Sequence, residues 1–189
     1  MSITKNDRPA LILIDIQKAF ENIAYWGGQR NNPDAEQKAA ELLKLWRDNH
    51  LSIFHIKHCS SNPASLLHET NNGNGFNDLV KPLKGERVIK KNVNSAFIDT
   101  DLKKRLDDLK ITKLVIVGLT TDHCVSTTTR MAGNYGFDTY LVSDATATFN
   151  KKGQKGQDYS AELMHETALA SLNEEFATVV TADFLEQNI

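Results

Sequence analysis

Cys124 is one of two cysteines in a chain of 189 residues. It stands in the stretch Gly118 to Arg130, "GLTTDHCVSTTTR". One reading is a thiol phosphatase. His-Cys-x5-Arg is the pattern of a loop that cradles phosphate on backbone N–H groups, with an arginine, here Arg130, reaching round. Two features oppose it. Thr127 stands where such loops carry a glycine, and a helix starting at Cys124 carries Arg130 about 240° round its axis, away from the sulfur. A second reading is acyl transfer. A free thiol is mostly protonated at neutral pH and needs a base and a stabilising cation. Asp15 can supply the first and Lys91 the second. A third reading is a non-catalytic small-molecule binding module, in which Cys124 is a small buried hydrophobe.

The three side chains are far apart in sequence, so strands must bring them together. "PALILID" (Pro9–Asp15) is a continuous apolar run, as expected of a strand buried on both faces, and Asp15 closes it. "LSIFHIKH" (Leu51–His58) reads as a second strand and "ERVIK" (Glu86–Lys90) as a third, with Lys91 just past it. "KLVIVGL" (Lys113–Leu119) reads as a fourth, and Cys124 follows it by a few residues. "FDTYLVSDA" and "FATVVTA" supply a fifth and a sixth. Amphipathic stretches alternate with them. Asn32–His50 carries Ala39, Leu42, Leu43 and Trp46 on one helical stripe, with Asn32 as its N-cap and Pro33 in the first helical position. Asp99–Lys110, a segment from Asp122 to Tyr135, and Ser160–Leu172 read as further helices. The alternation predicts an α/β fold: a six-stranded, mostly parallel sheet with helices on both faces. Ligands of such sheets bind outside the carboxyl ends of the strands, where Asp15, Lys91 and Cys124 all fall. A helix N-terminus near Cys124 would favour the thiolate, and backbone N–H groups there could form an oxyanion hole.

These residues resemble those of the isochorismatase-like cysteine hydrolases, a family that includes nicotinamidases. "ALILIDIQKAF" is similar to the family's first strand, with Asp15 in the catalytic aspartate position. "VIKKNVNSAFIDTDLKKRL" is similar to its lysine segment; the spacing before Ser95-Ala96-Phe97 selects Lys91 rather than Lys90. "LVIVGLTTDHCVSTTTRMAGNYGFDTYLVSDATATF" is similar to the nucleophile segment and the strand after it. The resemblance implies a three-layer α/β/α sandwich, an Asp15-Lys91-Cys124 triad and a cis peptide at Leu119–Thr120. It also implies an oxyanion hole from the N–H groups of Thr120 and Cys124, a thioester intermediate, and a homo-oligomer, dimer or larger. Nicotinamidases carry a metal site beginning Asp-x-His after the second strand. The matching stretch here is Ile56-Lys57-His58, without the aspartate. His58 and His68 without a carboxylate make a poor metal site, so no metal or other cofactor is expected and these histidines read as structural or surface residues. Isochorismatases proper act on a vinyl ether and commonly lack the cysteine. The presence of Cys124 points to hydrolysis of a C–N bond in a small amide or lactam, with isochorismatase-type and nicotinamidase activity as alternatives.

Composition sets the remaining expectations. Length fits one domain spanning 1–189. A net charge of -2 gives no reason to expect nucleic acid as a partner. No apolar run approaches a membrane span or a signal peptide, and two cysteines make no disulfide framework, so a cytoplasmic protein with free thiols is expected. Phe20, Tyr25 and Trp26 are candidate pocket residues. The polar loop Cys59–Gly75 is a candidate lid, from this chain or a neighbouring subunit. His165 shares a helix face with Ala161, Leu169 and Leu172 and reads as core-facing.

Overall fold

The structure, a computed structural model, describes residues 2–189. Its strands are β1 (Ala10–Ile14), β2 (Ile53–His58), β3 (Arg87–Lys91), β4 (Lys113–Leu119), β5 (Asp138–Ala147), a two-residue pair β6 (Lys151–Lys152) and β7 (Asp158–Tyr159), and β8 (Thr178–Val180). Six of them form one sheet in the order β3-β2-β1-β4-β5-β8, and every pairing is parallel. The helices are α1 (Ile23–Trp26), α2 (Ala35–Asp48), α3 (Leu102–Asp108), α4 (Ser126–Asn134), α5 (Ala161–Leu172) and α6 (Ala182–Asn188). None is long and apolar enough to cross a membrane among the described residues.

Strand alternation explains the layers. Leu11 and Leu13 of β1 join one core with Ala39, Leu42, Leu43 and Trp46 of α2 and Ala182 and Leu185 of α6. Ala10, Ile12 and Ile14 join a second core with Leu102 and Leu106 of α3, Ala132 of α4, and Leu169 and Leu172 of α5. A sheet covered on both faces needs apolar residues at every position, which is why β1 reads as an unbroken run. The architecture is the α/β/α sandwich expected from the sequence.

Several local expectations are corrected. Asn32 is not the N-cap of α2; Asp34 is. Asn32 lies at φ +41°, and its amide bonds the carbonyls of Ser143 and Thr146 at 2.9 and 2.8 Å, tying this loop to β5. Lys91 is the last residue of β3 rather than the residue after it. The segment after β4 starts as a π-helical turn, Thr121–Val125, before α4. Cys124 therefore lies inside that turn.

The parallel register brings the chemistry to one end. Ile14 pairs with Ile56 and with Gly118, and His58 pairs with Lys91. Gly118 is required there. A Cβ would stand 2.0 Å from the Ile14 carbonyl oxygen, and φ is +124°. The β4–β5 register shifts between Ile116 and Gly118, where β5 carries extra residues before pairing resumes at Gly118–Thr146 and Leu119–Ala147.

Candidate active site

Asp15 follows β1 at φ +51°, a left-handed conformation that aspartate tolerates better than most residues. Its N–H bonds the Ile56 carbonyl and its carbonyl accepts from Gln17, which fixes the turn. Lys91 comes from the edge strand two places away, across the end of β2. Its Nζ lies 2.6 Å from Asp15 Oδ2, 3.3 Å from Cys124 Sγ and 3.0 Å from His58 Nδ1. The two charged side chains are buried, at 0% and 1% exposure.

An ammonium has three N–H groups and accepts nothing. Here it meets three acceptors. That assignment requires His58 Nδ1 to be unprotonated, leaving the imidazole neutral with its proton on Nε2. Electrostatics agree: burial lowers the His58 pKa, the Lys91 charge lowers it further, and Asp15 opposes. For Cys124, burial pushes the thiol above its ordinary value, the Asp15 charge adds to this, and Lys91 opposes. The resting residue is a thiol, and Asn94 Oδ1 stands 3.7 Å from its sulfur. Asp15 Oδ1 is buried without a hydrogen-bond partner, so the carboxylate keeps a free lone pair for a proton.

Cys124 opens onto a cavity of about 240 Å³. Phe20 and Trp26 form one wall, with ring centroids 4.7 Å apart and Phe149 packed behind both. His58, Asn94, Thr120 and His123 also line it, and Thr120 Oγ1 is buried and unpartnered. Ser65 and Leu67 bring the 59–75 loop of this same chain over the site. Two buried amides hold that loop down. Gln17 bonds the His58 N–H and carbonyl and the Asn74 carbonyl, while Asn74 bonds the carbonyls of His58 and Leu67.

The structure thus brings together Asp15, Lys91, Cys124, Thr120, Phe20 and Trp26. Tyr25 does not join them: it is half exposed and rests edge-on against Trp26 outside the cavity. The peptide bond Leu119–Thr120 is cis. His58, read from sequence as structural or surface, is a wall residue and a partner of Lys91. His68 is turned to Thr70 Oγ1. His165 is buried and meets Thr121 Oγ1 at 2.9 Å, away from the cavity. Arg130 lies over the Phe176 ring and bonds Ser171, so no phosphate loop forms around Cys124.

The isochorismatase domain model matches residues 9–184. The chain belongs to the isochorismatase family. It is 48% identical over 179 residues to the uncharacterized isochorismatase family protein YrdC of Bacillus subtilis, covering 95% of each chain. It is 26% identical over 193 residues to Nicotinamidase 3 of Arabidopsis thaliana, covering 95% of this chain and 88% of that one. An isochorismatase-family structure from Chromobacterium violaceum superposes with a TM-score of 0.94 at 38% identity, covering 100% of this chain and 96% of that one.

The metal site of nicotinamidases does not fit the residues present in this family member. Ile56, in the aspartate position, is a fully buried core residue. Asp15, His58 and Cys124 do place ligand atoms within 4.8 Å of one another. The cation they surround is the Lys91 ammonium, which uses all three.

Proposed function

We propose that this isochorismatase-family hydrolase is a cysteine amidase that cleaves a C–N bond of a small amide or lactam. The observation that carries the reading is one buried ammonium shared by Asp15 and Cys124, at the floor of a cavity. Asp15 takes the thiol proton, and Lys91 stabilises the thiolate. Sulfur attacks the carbonyl carbon and forms the C–S bond. The oxyanion rests against the backbone N–H groups of Thr120 and Cys124. Collapse breaks the C–N bond, and protonated Asp15 gives its proton to the leaving nitrogen. Water then attacks the thioester with Asp15 again as base. The C–S bond breaks, and Asp15 returns the proton to sulfur. The similarity to a protein named nicotinamidase, whose substrate is an amide, supports the bond class. Nothing in this cycle calls on a cofactor.

The test is hydrolysis across a panel of small amides and lactams, read as ammonia release or ring opening. Cys124→Ala should lose turnover, and wild-type protein quenched during turnover should carry the acyl mass. Full turnover by Cys124→Ala would refute the mechanism.

A further inference from the structure

We propose that Lys151 is an anion-binding residue of this cavity, and that the substrate amide carries a carboxylate or similar anionic group. The inference rests on the cysteine amidase reading and narrows its substrate class. Lys151 begins the β6–β7 hairpin and lines the cavity beside Cys124. It is the one charged side chain among the cavity-lining residues; Asp15 and Lys91 lie behind the sulfur. Burial lowers the pKa of both wall histidines, His58 and His123, and keeps them neutral. The wall therefore presents one cation, which is ion-paired with the Asp122 carboxylate at 3.5 Å.

Lys151 is only a quarter exposed, so its ammonium has lost much of its water. It stands 3.5 Å from Asp122 Oδ2 and makes no hydrogen bond to any described residue. Its neighbour Lys152, by contrast, meets Asp158 at 2.6 Å. Asp122 accepts from the Thr148 hydroxyl through Oδ1 and turns Oδ2 toward Lys151 and His123, the latter at 3.6 Å. It holds Lys151 in place and leaves the ammonium's N–H groups free. The backbone at this position is built rather than loose. Asn150 donates to the Gln29 carbonyl at 3.0 Å and accepts from the Ala161 N–H at 2.8 Å. A part-buried cation held by an ion pair at 3.5 Å but without a hydrogen bond keeps N–H groups for an anion in the cavity. The cavity volume of about 240 Å³ restricts that anion to a small molecule.

Two reagents of nearly equal size separate charge from reactivity. Iodoacetate and iodoacetamide both alkylate a thiolate by displacing iodide to form a thioether, and mass spectrometry resolves Cys124 from Cys59. Wild-type Cys124 should favour iodoacetate relative to Cys59. Lys151→Gln should lower that preference about tenfold, the effect of one lost charge-assisted contact, and Lys151→Arg should restore most of it. Binding gives a second readout that needs no reactive thiol. In Cys124→Ser protein, Trp26 fluorescence should report succinamate binding, weakened about tenfold by Lys151→Gln. A preference and an affinity that ignore Lys151 would overturn the anion site and leave the nucleophile reading standing. Failure of Cys124 to react with either reagent would overturn the nucleophile reading, and the fluorescence titration would still decide the anion site.

Discussion

Replacing Lys91 by methionine removes the charge at the centre of the site and keeps much of its volume. Its Nζ lies 3.3 Å from the Cys124 sulfur. At an effective dielectric of about 20, that attraction to a thiolate is roughly 5 kcal/mol. Asp15 acts in the opposite sense, because its charge raises the thiol. At a separation of up to 4.8 Å, the same dielectric gives a repulsion of at least about 3.5 kcal/mol. Without the ammonium, a buried carboxylate has no cation and takes up a proton instead. The two losses then partly cancel, leaving a net rise of about one pH unit in the thiol titration. If Asp15 stayed ionised, the rise would be about three to four units. A protonated Asp15 no longer serves as base, and an ionised one faces a thiolate that has lost its cation; in both cases amide turnover should fall by about a thousandfold or more. The assay is the pH dependence of Cys124 alkylation by iodoacetamide, read by mass spectrometry with Cys59 as internal reference. Asp15→Asn supplies the opposite sign. It leaves Lys91 unopposed, so the Cys124 titration should move down while turnover is still lost. An unchanged alkylation profile in a folded Lys91→Met protein would refute the coupling. So would an upward shift in Asp15→Asn.

Gly118→Ala places a Cβ 2.0 Å from the Ile14 carbonyl at a φ of +124°. It should cost at least about 3 kcal/mol, read as a lower chemical-denaturation midpoint. Asn74→Ala removes the bonds to the His58 and Leu67 carbonyls. A cost of roughly 2–4 kcal/mol is expected, with faster hydrogen exchange across residues 59–75. Glu86 has its pKa held at about 2: burial pushes it up, but bonds from Arg47, the Leu83 N–H and His55 together outweigh burial. A depressed carboxylate stabilises the fold above its unfolded value and loses that contribution as pH falls from about 4.5 to 2. Discounted for screening, the loss is roughly 1–2 kcal/mol, and Glu86→Gln should flatten the acid limb of the denaturation curve. His55, His58, His123 and His165 are all lowered, with burial the first cause in each. Their contribution is complete above the unfolded value of about 6.5 and is lost as pH falls through it, which should show as a falling melting temperature from pH 7 to 5.

The layers were legible because apolar runs have a direct cause. A strand covered on both faces is apolar throughout its covered length, and β1 and β4 beyond Lys113 read accordingly. Asp15 and Cys124 were legible because they interrupt or follow such runs. The boundaries at Asn32 and Lys91 were less so, since a side chain that bonds two carbonyls on β5 gives no local signal. The polar residues of the site were hidden for the same reason. Gln17 is set by His58 and Asn74, and Asn94 by Cys124, all through contacts remote in sequence. Tyr25 misled because an aromatic just before Gly27 and Gly28 looks like a pocket wall, whereas Trp26 beside it takes that place and donates its indole N–H to the Ala19 carbonyl. Arg130 was legible as a bystander, because the turn of the helix that carries it points it away from Cys124, onto the Phe176 ring.

His58 shows how one substitution elsewhere redefines a residue. Beside a carboxylate at position 56, its imidazole would belong to a ligand set for a metal. Ile56 removes that carboxylate and fills the core. His58 Nδ1 is then free to take the third N–H of Lys91, which completes the ammonium without adding charge. A neutral acceptor suits this position. A second carboxylate would pull the lysine from the sulfur, and a protonated imidazole would repel it. The neutral tautomer also leaves the Nε2–H on a residue that lines the cavity. The site thus has a single buried cation, and every group around it either accepts from that cation or faces the space above it.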